Sequence, residues 1–115
     1  MKIAFTATGE TLDSQIDPRF GRTDFILVLD EETNNLEVIN NLEANNEAHG
    51  AGTATSRKIY QFRPDVLITG NGPGDTAAKA LKPLNMKIFT GAYDVTVRKA
   101  YELYKQGQLK EISML

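Results

Sequence analysis

Apolar residues fall into short near-continuous runs, Lys2–Ala7, Asp24–Asp30, Val66–Thr69 and Met86–Thr90, separated by polar and glycine-bearing stretches. Runs without polar alternation predict strands buried on both faces of a sheet. Leu36-Glu37-Val38-Ile39 alternates instead. It predicts a more exposed strand returning from Asp24–Asp30 across the turn chemistry of Glu31-Glu32-Thr33-Asn34-Asn35. Ala51–Phe62 has small residues and an Ile59/Phe62 spacing that predict a helix lying on the sheet, stopped by Pro64. A second helix opens at Gly70-Asn71-Gly72-Pro73-Gly74, with Ala77, Ala80, Leu81 and Leu84 on one face. Val97, Ala100, Tyr101 and Tyr104 make the stripe of a third, with Asp94 as its N-cap and Gly107 at C′. Asn40 to Gly50 reads as polar loop.

That order, β-β-β-α-β-α-β-α, is an α/β fold. Hairpin-type links followed by two right-handed crossovers predict a five-stranded mixed sheet of order 3-2-1-4-5, with strand 2 antiparallel and three main helices. At 115 residues the chain is read as one domain, residues 1–115. The topology sends four connections to one edge: the loop after the first strand and the entrances of all three helices. This is the carboxyl edge of the parallel strands, where ligands sit in open α/β sheets. The switch point lies between strands 1 and 4, so the loop after strand 1 should face the Gly70–Gly74 turn.

Composition narrows the function classes. A net charge of −2, with 24% charged and 41% hydrophobic residues, gives no reason to expect a nucleic-acid or membrane-surface partner. The absence of Cys excludes disulfides, thiolate zinc sites and cysteine-ligated iron–sulfur clusters. Polar Thr8, Glu10 and Asp13 close behind the first short apolar run argue against a signal peptide, and a cytoplasmic location is expected.

The loop after the first strand is roughly sixteen residues long, a length usually kept for function, and it ends in Asp17-Pro18-Arg19-Phe20-Gly21-Arg22. Arg19 and Arg22 are permanently charged donors suited to an oxyanion, and Gly21 permits close backbone approach. The plainer alternative is a turn shaped by Pro18 and Gly21, with the arginines paired to Asp17 and Asp24. Gly70, Asn71 and Gly72 follow a strand and precede a helix, as an anion nest does. They equally suit a tight turn with Pro73 opening the helix. They make no Walker loop, because no Lys-Ser/Thr pair follows. His49, the one His, stands before Gly50-Ala51-Gly52 and is read either as solvated or as a metal ligand or donor to an anion. Catalysis is not indicated: the first strand lacks the carboxylate that a two-metal nuclease on such a sheet needs, and Ser14 and Ser56 lack a nucleophile elbow.

Taken together in order and spacing, several segments resemble the dinitrogenase iron–molybdenum cofactor biosynthesis family, which includes cofactor carriers and the orange-protein type. They are the first strand, Asp17–Arg22, Asn46 through Gly52, Gly70-Asn71-Gly72-Pro73, Gly91 to Val97 and Tyr104 to Leu109. The resemblance implies a ribonuclease-H-like motif and a non-enzymatic carrier or assembly protein. Its cargo would be an anionic molybdenum-, copper- or iron-containing sulfide cluster. Cofactor-assembly proteins are then the expected partners, with no nucleic acid or membrane, and the chain is expected as a monomer or weak dimer. In the relatives best known for binding nitrogenase cofactor the residue before Phe-Gly is His. Here it is Arg19, which removes a direct metal ligand. A cluster would bring its own sulfides and be held by Arg19, Phe20, Gly21, Arg22, His49, Gly50, Gly52, Gly70, Asn71 and Gly72, with His49 as the candidate metal ligand. Two other functions fit the same edge: a module for a phosphorylated metabolite or nucleotide, and a regulatory domain whose site is vestigial.

Overall fold

The computed structural model describes residues 1–45 and 50–112. The six strands found there are β1 (Lys2–Ala7), β2 (Phe25–Asp30), β3 (Asn35–Asn40), β4 (Val66–Ile68), β5 (Lys87–Thr90) and β6 (Lys110–Ile112). They form one mixed sheet of order β3-β2-β1-β4-β5-β6. β1 is antiparallel to β2 and parallel to β4, and β5 is parallel to β4. The expected order 3-2-1-4-5 is present, but the expected count of five strands is corrected to six. The additional β6 pairs antiparallel with β5, Ile88 opposite Ile112. Its sequence, Lys-Glu-Ile, has no apolar run because it is an edge strand with two exposed residues.

The helices are α1 (Leu42–Asn45), α2 (Ala51–Phe62), α3 (Asp75–Leu81) and α4 (Val97–Lys105). Three main helices therefore become four among the described residues, the addition being the one-turn α1 inside the expected polar loop. There the side chain of Asn40 accepts from Leu42 N (2.9 Å), and the Asn41 carbonyl accepts from Ala44 N (3.0 Å). α3 is shorter than expected. It tightens into a 3-10 turn at Lys82–Leu84, where Pro83 cannot donate to an α-ladder. The N-cap of α4 is Thr96, whose hydroxyl accepts from Lys99 N at 3.1 Å. Asp94, the expected cap, is instead a left-handed residue (φ 55°) that turns the chain towards Thr96. Gly107 closes α4 as expected: at φ 71° it lets its own N–H reach Tyr104 O and that of Gln108 reach Leu103 O. Among the described residues, no helix is long and apolar enough to cross a membrane.

Each face of the sheet has its own core. Ile3, Phe5, Leu27, Leu29, Val66 and Ile68 pack with Val97 and Ala100 of α4, and with Ile16 and Ala92 from the loops. On the other face Ala4, Ile26, Val28, Leu67 and Ile88 meet Ile59 of α2, Ala77 and Leu81 of α3, and Phe20. The central strands are thus covered on both sides, which is why their sequences do not alternate.

A polar clasp ties the β2–β3 turn to α4. The Glu31 carboxylate accepts from Lys105 Nζ (2.7 Å) and from the Tyr101 hydroxyl. These two donors, Lys105 first, hold the Glu31 carboxyl below its ordinary range. A depressed carboxylate contributes stability above its unfolded pKa and loses it as pH falls through the folded one. Lys105→Ala should therefore cost up to about 1 kcal/mol at pH 7, since the pair is partly solvated. The difference from the parent should shrink in urea melts as pH falls below the usual Glu range. An unchanged gap there would mean that the loss is one of packing.

Candidate functional site

The loop between β1 and β2 is docked before it reaches the arginines. Residues 15 and 16 make β-bridges to Thr96 and Ala7, and Ile16 N donates to Val95 O at 2.9 Å. Asp17 is fixed at both backbone groups: its N–H donates to Thr6 O (3.0 Å) and its carbonyl accepts from Thr6 Oγ1 (2.7 Å). Thr6 Oγ1 lies 2.7 Å from Thr69 Oγ1, both fully buried, so two hydroxyls at the ends of β1 and β4 anchor the loop.

The carboxylate of Asp17 is 1% exposed and receives four N–H groups. Oδ1 accepts from Arg19 N and Nε, both at 3.0 Å; Oδ2 accepts from Arg19 Nη2 (3.0 Å) and Asp24 N (3.1 Å). Arg19 Nη2 also lies 3.5 Å from Asp24 Oδ1. For Arg19 the plainer of the two readings is therefore the observed one: it pairs with Asp17 and Asp24. The hydrogen bond to Asp17 is the main reason its pKa lies above the ordinary value. Phe20 turns inward, 4% exposed, and anchors the loop in the core beneath α2 and α3.

The far end of the loop is held by side chains that the polar-loop reading missed. Asn41 is fully buried; its Nδ2 donates to Thr23 O (3.0 Å) and Thr55 Oγ1 (2.9 Å). Thr55 Oγ1 then donates to Gly21 O at 2.7 Å. Gly21 rests on the first turn of α2 so closely that a Cβ there would lie 2.9 Å from Gly52 N. Arg22, half-buried, leads into β2.

The expected facing of the Arg loop and the glycine turn is observed, and among the described residues it is a direct contact. Asn71 N donates to Pro18 O at 2.8 Å. A Cβ on Gly70 would lie 2.7 Å from Pro18 Cα and 3.0 Å from Tyr93 Cε1. Tyr93, on the β5–α4 loop, donates its hydroxyl to Asn71 Oδ1 at 2.6 Å. Three loops thus touch at the switch point. Open space lies beside it, in a cleft of about 340 Å³ between the first turns of α2 and α3. Gly50, Gly52, Thr53, Gly74, Asp75, Thr76 and Ala77 line it. Both helices begin at glycine (Gly50 and Gly74), which has no side chain with which to cap their first N–H groups.

Of the residues singled out in the sequence, Gly50 and Gly52 line this cleft, and Gly21 packs against its α2 wall. Gly70 and Asn71 abut Pro18 and Tyr93, while Gly72 packs towards Ile112 of β6. His49 lies outside the described residues, and among those described no group of three His, Cys, Asp or Glu could hold a metal ion. The sequence signal for Tyr93 is an aromatic after Gly91 at a helix entrance on the carboxyl edge.

The sequence model of the dinitrogenase iron–molybdenum cofactor family matches residues 1–107. No curated protein matches the sequence significantly. Among solved structures, the chain is similar to the apo form of the orange protein from Desulfovibrio gigas. The identity is 33% and the TM-score 0.89, over 97% of this chain and 92% of that one. It is also similar to a putative NifB protein from Thermotoga, at 27% identity and a TM-score of 0.80, over 96% of this chain and 91% of that one.

Proposed function

The chain belongs to the dinitrogenase iron–molybdenum cofactor family, and from that membership we propose that it is a non-enzymatic carrier or assembly protein for an anionic metal–sulfur cluster. We read its first five strands as the ribonuclease-H-like motif. The cluster, containing molybdenum, copper or iron, is cargo. It sits at the carboxyl edge, against the cleft between α2 and α3 and the Arg19–Arg22 loop packed on it. The observation that carries this reading is the convergence of the first turns of two helices that begin at glycine on one cleft, with Gly21 of the Arg loop packed against its α2 wall. Such a place offers N–H donors, and the adjoining loop carries the arginines; both suit bridging and terminal sulfides. It offers no thiolate, and the sequence has none to give. The volume is at the small end for ligand sites, in keeping with a compact inorganic anion.

Local charge tempers the picture usefully. Arg19 stands between Asp17 and Asp24, and Asp75 lines the cleft. The cargo is held mainly by directed hydrogen bonds, with little help from a broad positive field. Cofactor-assembly proteins as partners and a cytoplasmic location belong to the same proposal.

The test is the visible spectrum of protein reconstituted with tetrathiomolybdate and copper or iron. Sulfide-to-metal bands should form with the parent and weaken with Arg19→Ala/Arg22→Ala. Two lost charge-assisted hydrogen bonds correspond to an affinity loss on the order of 100-fold or more. Identical titrations for parent and variant would sink the role given to the arginines. A thermal shift with nucleotides and none with tetrathiomolybdate would transfer the edge to a phosphorylated ligand.

A further inference from the structure

Asp17 is the one carboxylate in the loop that is removed from solvent, and nothing about anion binding calls for a carboxylate there. On charge alone it is a fault, a negative group 3.0 Å from the guanidinium offered to an anion. Its geometry suggests a different role. Both oxygens face one edge of the guanidinium, Oδ1 to Nε and Oδ2 to Nη2. Oδ1 also takes Arg19 N and Oδ2 takes Asp24 N, so the carboxylate fixes the backbone at both ends of the turn as well as the side chain between them. The backbone that carries the carboxylate is anchored in turn, because Thr6 bonds both backbone groups of Asp17 and Thr69 supports Thr6. Among the described residues Arg19 Nη1 has no partner, and the Arg19 side chain is 52% exposed. A side-on clasp on the Nε–Nη2 edge therefore leaves the Nη1 edge as the presented one.

We infer that Asp17 is the positioning residue of the anion site: it orients Arg19 so that Nη1 faces the cargo. This rests on the carrier reading above. A flexible Arg must be ordered when it binds, whereas a clasped one is ordered beforehand, and preorganisation of that kind raises affinity without adding a contact.

The inference and simple electrostatics predict opposite signs. Asp17→Asn is nearly isosteric and removes the negative charge, but it places an NH2 group where Oδ2 accepted two N–H donors. If Asp17 acted only through its charge, tetrathiomolybdate would bind more tightly. With positioning, the affinity read by visible titration falls, by about 10-fold for loss of one fixed charge-assisted contact. The double variant Asp17→Asn/Arg19→Ala then binds no more weakly than Arg19→Ala alone, because Asp17 works through Arg19. In the parent protein, the Arg19 Nε–H resonance should be protected from exchange, and Asp17→Asn should expose it. Should Asp17→Asn fail to fold, Arg19→Lys serves: it keeps the charge, lacks the fork, and should lose affinity nearly as far as Arg19→Ala. Tighter or unchanged binding by Asp17→Asn, or full binding by Arg19→Lys, overturns the inference and leaves the carrier reading standing. Absence of binding by the parent protein overturns the carrier reading, and this inference with it.

Discussion

Phe5→Ala should lower the unfolding free energy by about 3–5 kcal/mol, the range for deleting a buried aromatic side chain. Phe5 heads the largest fully buried side chains and is 0% exposed. It sits in the middle of β1, opposite Leu27 on one side and Ile68 on the other. Both neighbours are held by ladder hydrogen bonds, so the strands cannot close on the space left. Its ring belongs to the cluster that includes Ile16, Ala92, Val97 and Ala100. Those residues anchor the Arg loop, the β5–α4 loop and α4. The loss would thus remove a large share of the roughly 5–15 kcal/mol typical of a domain and loosen two walls of the edge. Denaturant melts should show a lower midpoint with an unchanged slope. Val38→Ala is the contrast, since Val38 is 43% exposed on edge strand β3, and about 0.5 kcal/mol or less is expected there. A Phe5→Ala cost below about 1 kcal/mol would mean that the core yields around the site far more readily than close packing allows.

What could be read from the sequence, and what could not, divides along physical lines. β1, β2 and α2 were legible because burial on both faces writes continuous apolar runs, and because Gly and Pro mark where they stop. The strand order followed from connection lengths and handedness. β6 was not legible: Lys110 and Glu111 are exposed, and the strand exists because β5 offers an edge. The choice of Thr96 over Asp94 as the cap of α4 was also tertiary. Both side chains can cap, but Thr96 is held in a bridge to Gln15, and Val97 N donates to Ser14 O at 2.8 Å. Buried Asn41 was hidden among polar neighbours, and only its partners Thr23, Thr55 and Lys58 reveal its place.

For the candidate site, the shared edge was legible from topology, while the state of the space between its loops was not. Strand order brings the Arg loop opposite Gly70. Whether they leave a gap or touch depends on ångström-scale packing of Pro18, Gly70 and Tyr93. Arg19 posed a similar problem. Asp17 and Asp24 were both evident as partners, and so was an incoming anion; sequence spacing does not choose among them. The buried carboxylate and its four donors do, by committing one edge of the guanidinium and leaving the other.

Gly70→Ala should cost about 1–3 kcal/mol, as forced overpacking does, and should disturb the edge more than its single methyl suggests. Gly70 has no left-handed φ to protect, so the cause is space alone. The new Cβ would lie 2.7 Å from Pro18 Cα, a backbone atom that cannot rotate away, and 3.0 Å from Tyr93 Cε1. Relief requires the two loops to part. That breaks the Asn71 N–Pro18 O bond and shifts Pro18 next to the Asp17 clasp. Gly74→Ala, four residues on, has nothing within 4 Å and an extended backbone, φ −68°. It should be neutral or stabilising by up to about 1 kcal/mol, through reduced freedom of the unfolded chain. Amide exchange at Asn71 provides the sharper measurement: protection should drop with Gly70→Ala and persist with Gly74→Ala. Equal melting midpoints for Gly70→Ala and the parent, with Asn71 still protected, would show that the loops have slack at the switch point. The contact would then have room to open. Loss of protection would instead mean that the contact is closely packed and yields only by breaking, which leaves the neighbouring cleft between α2 and α3 as the open space described at this edge.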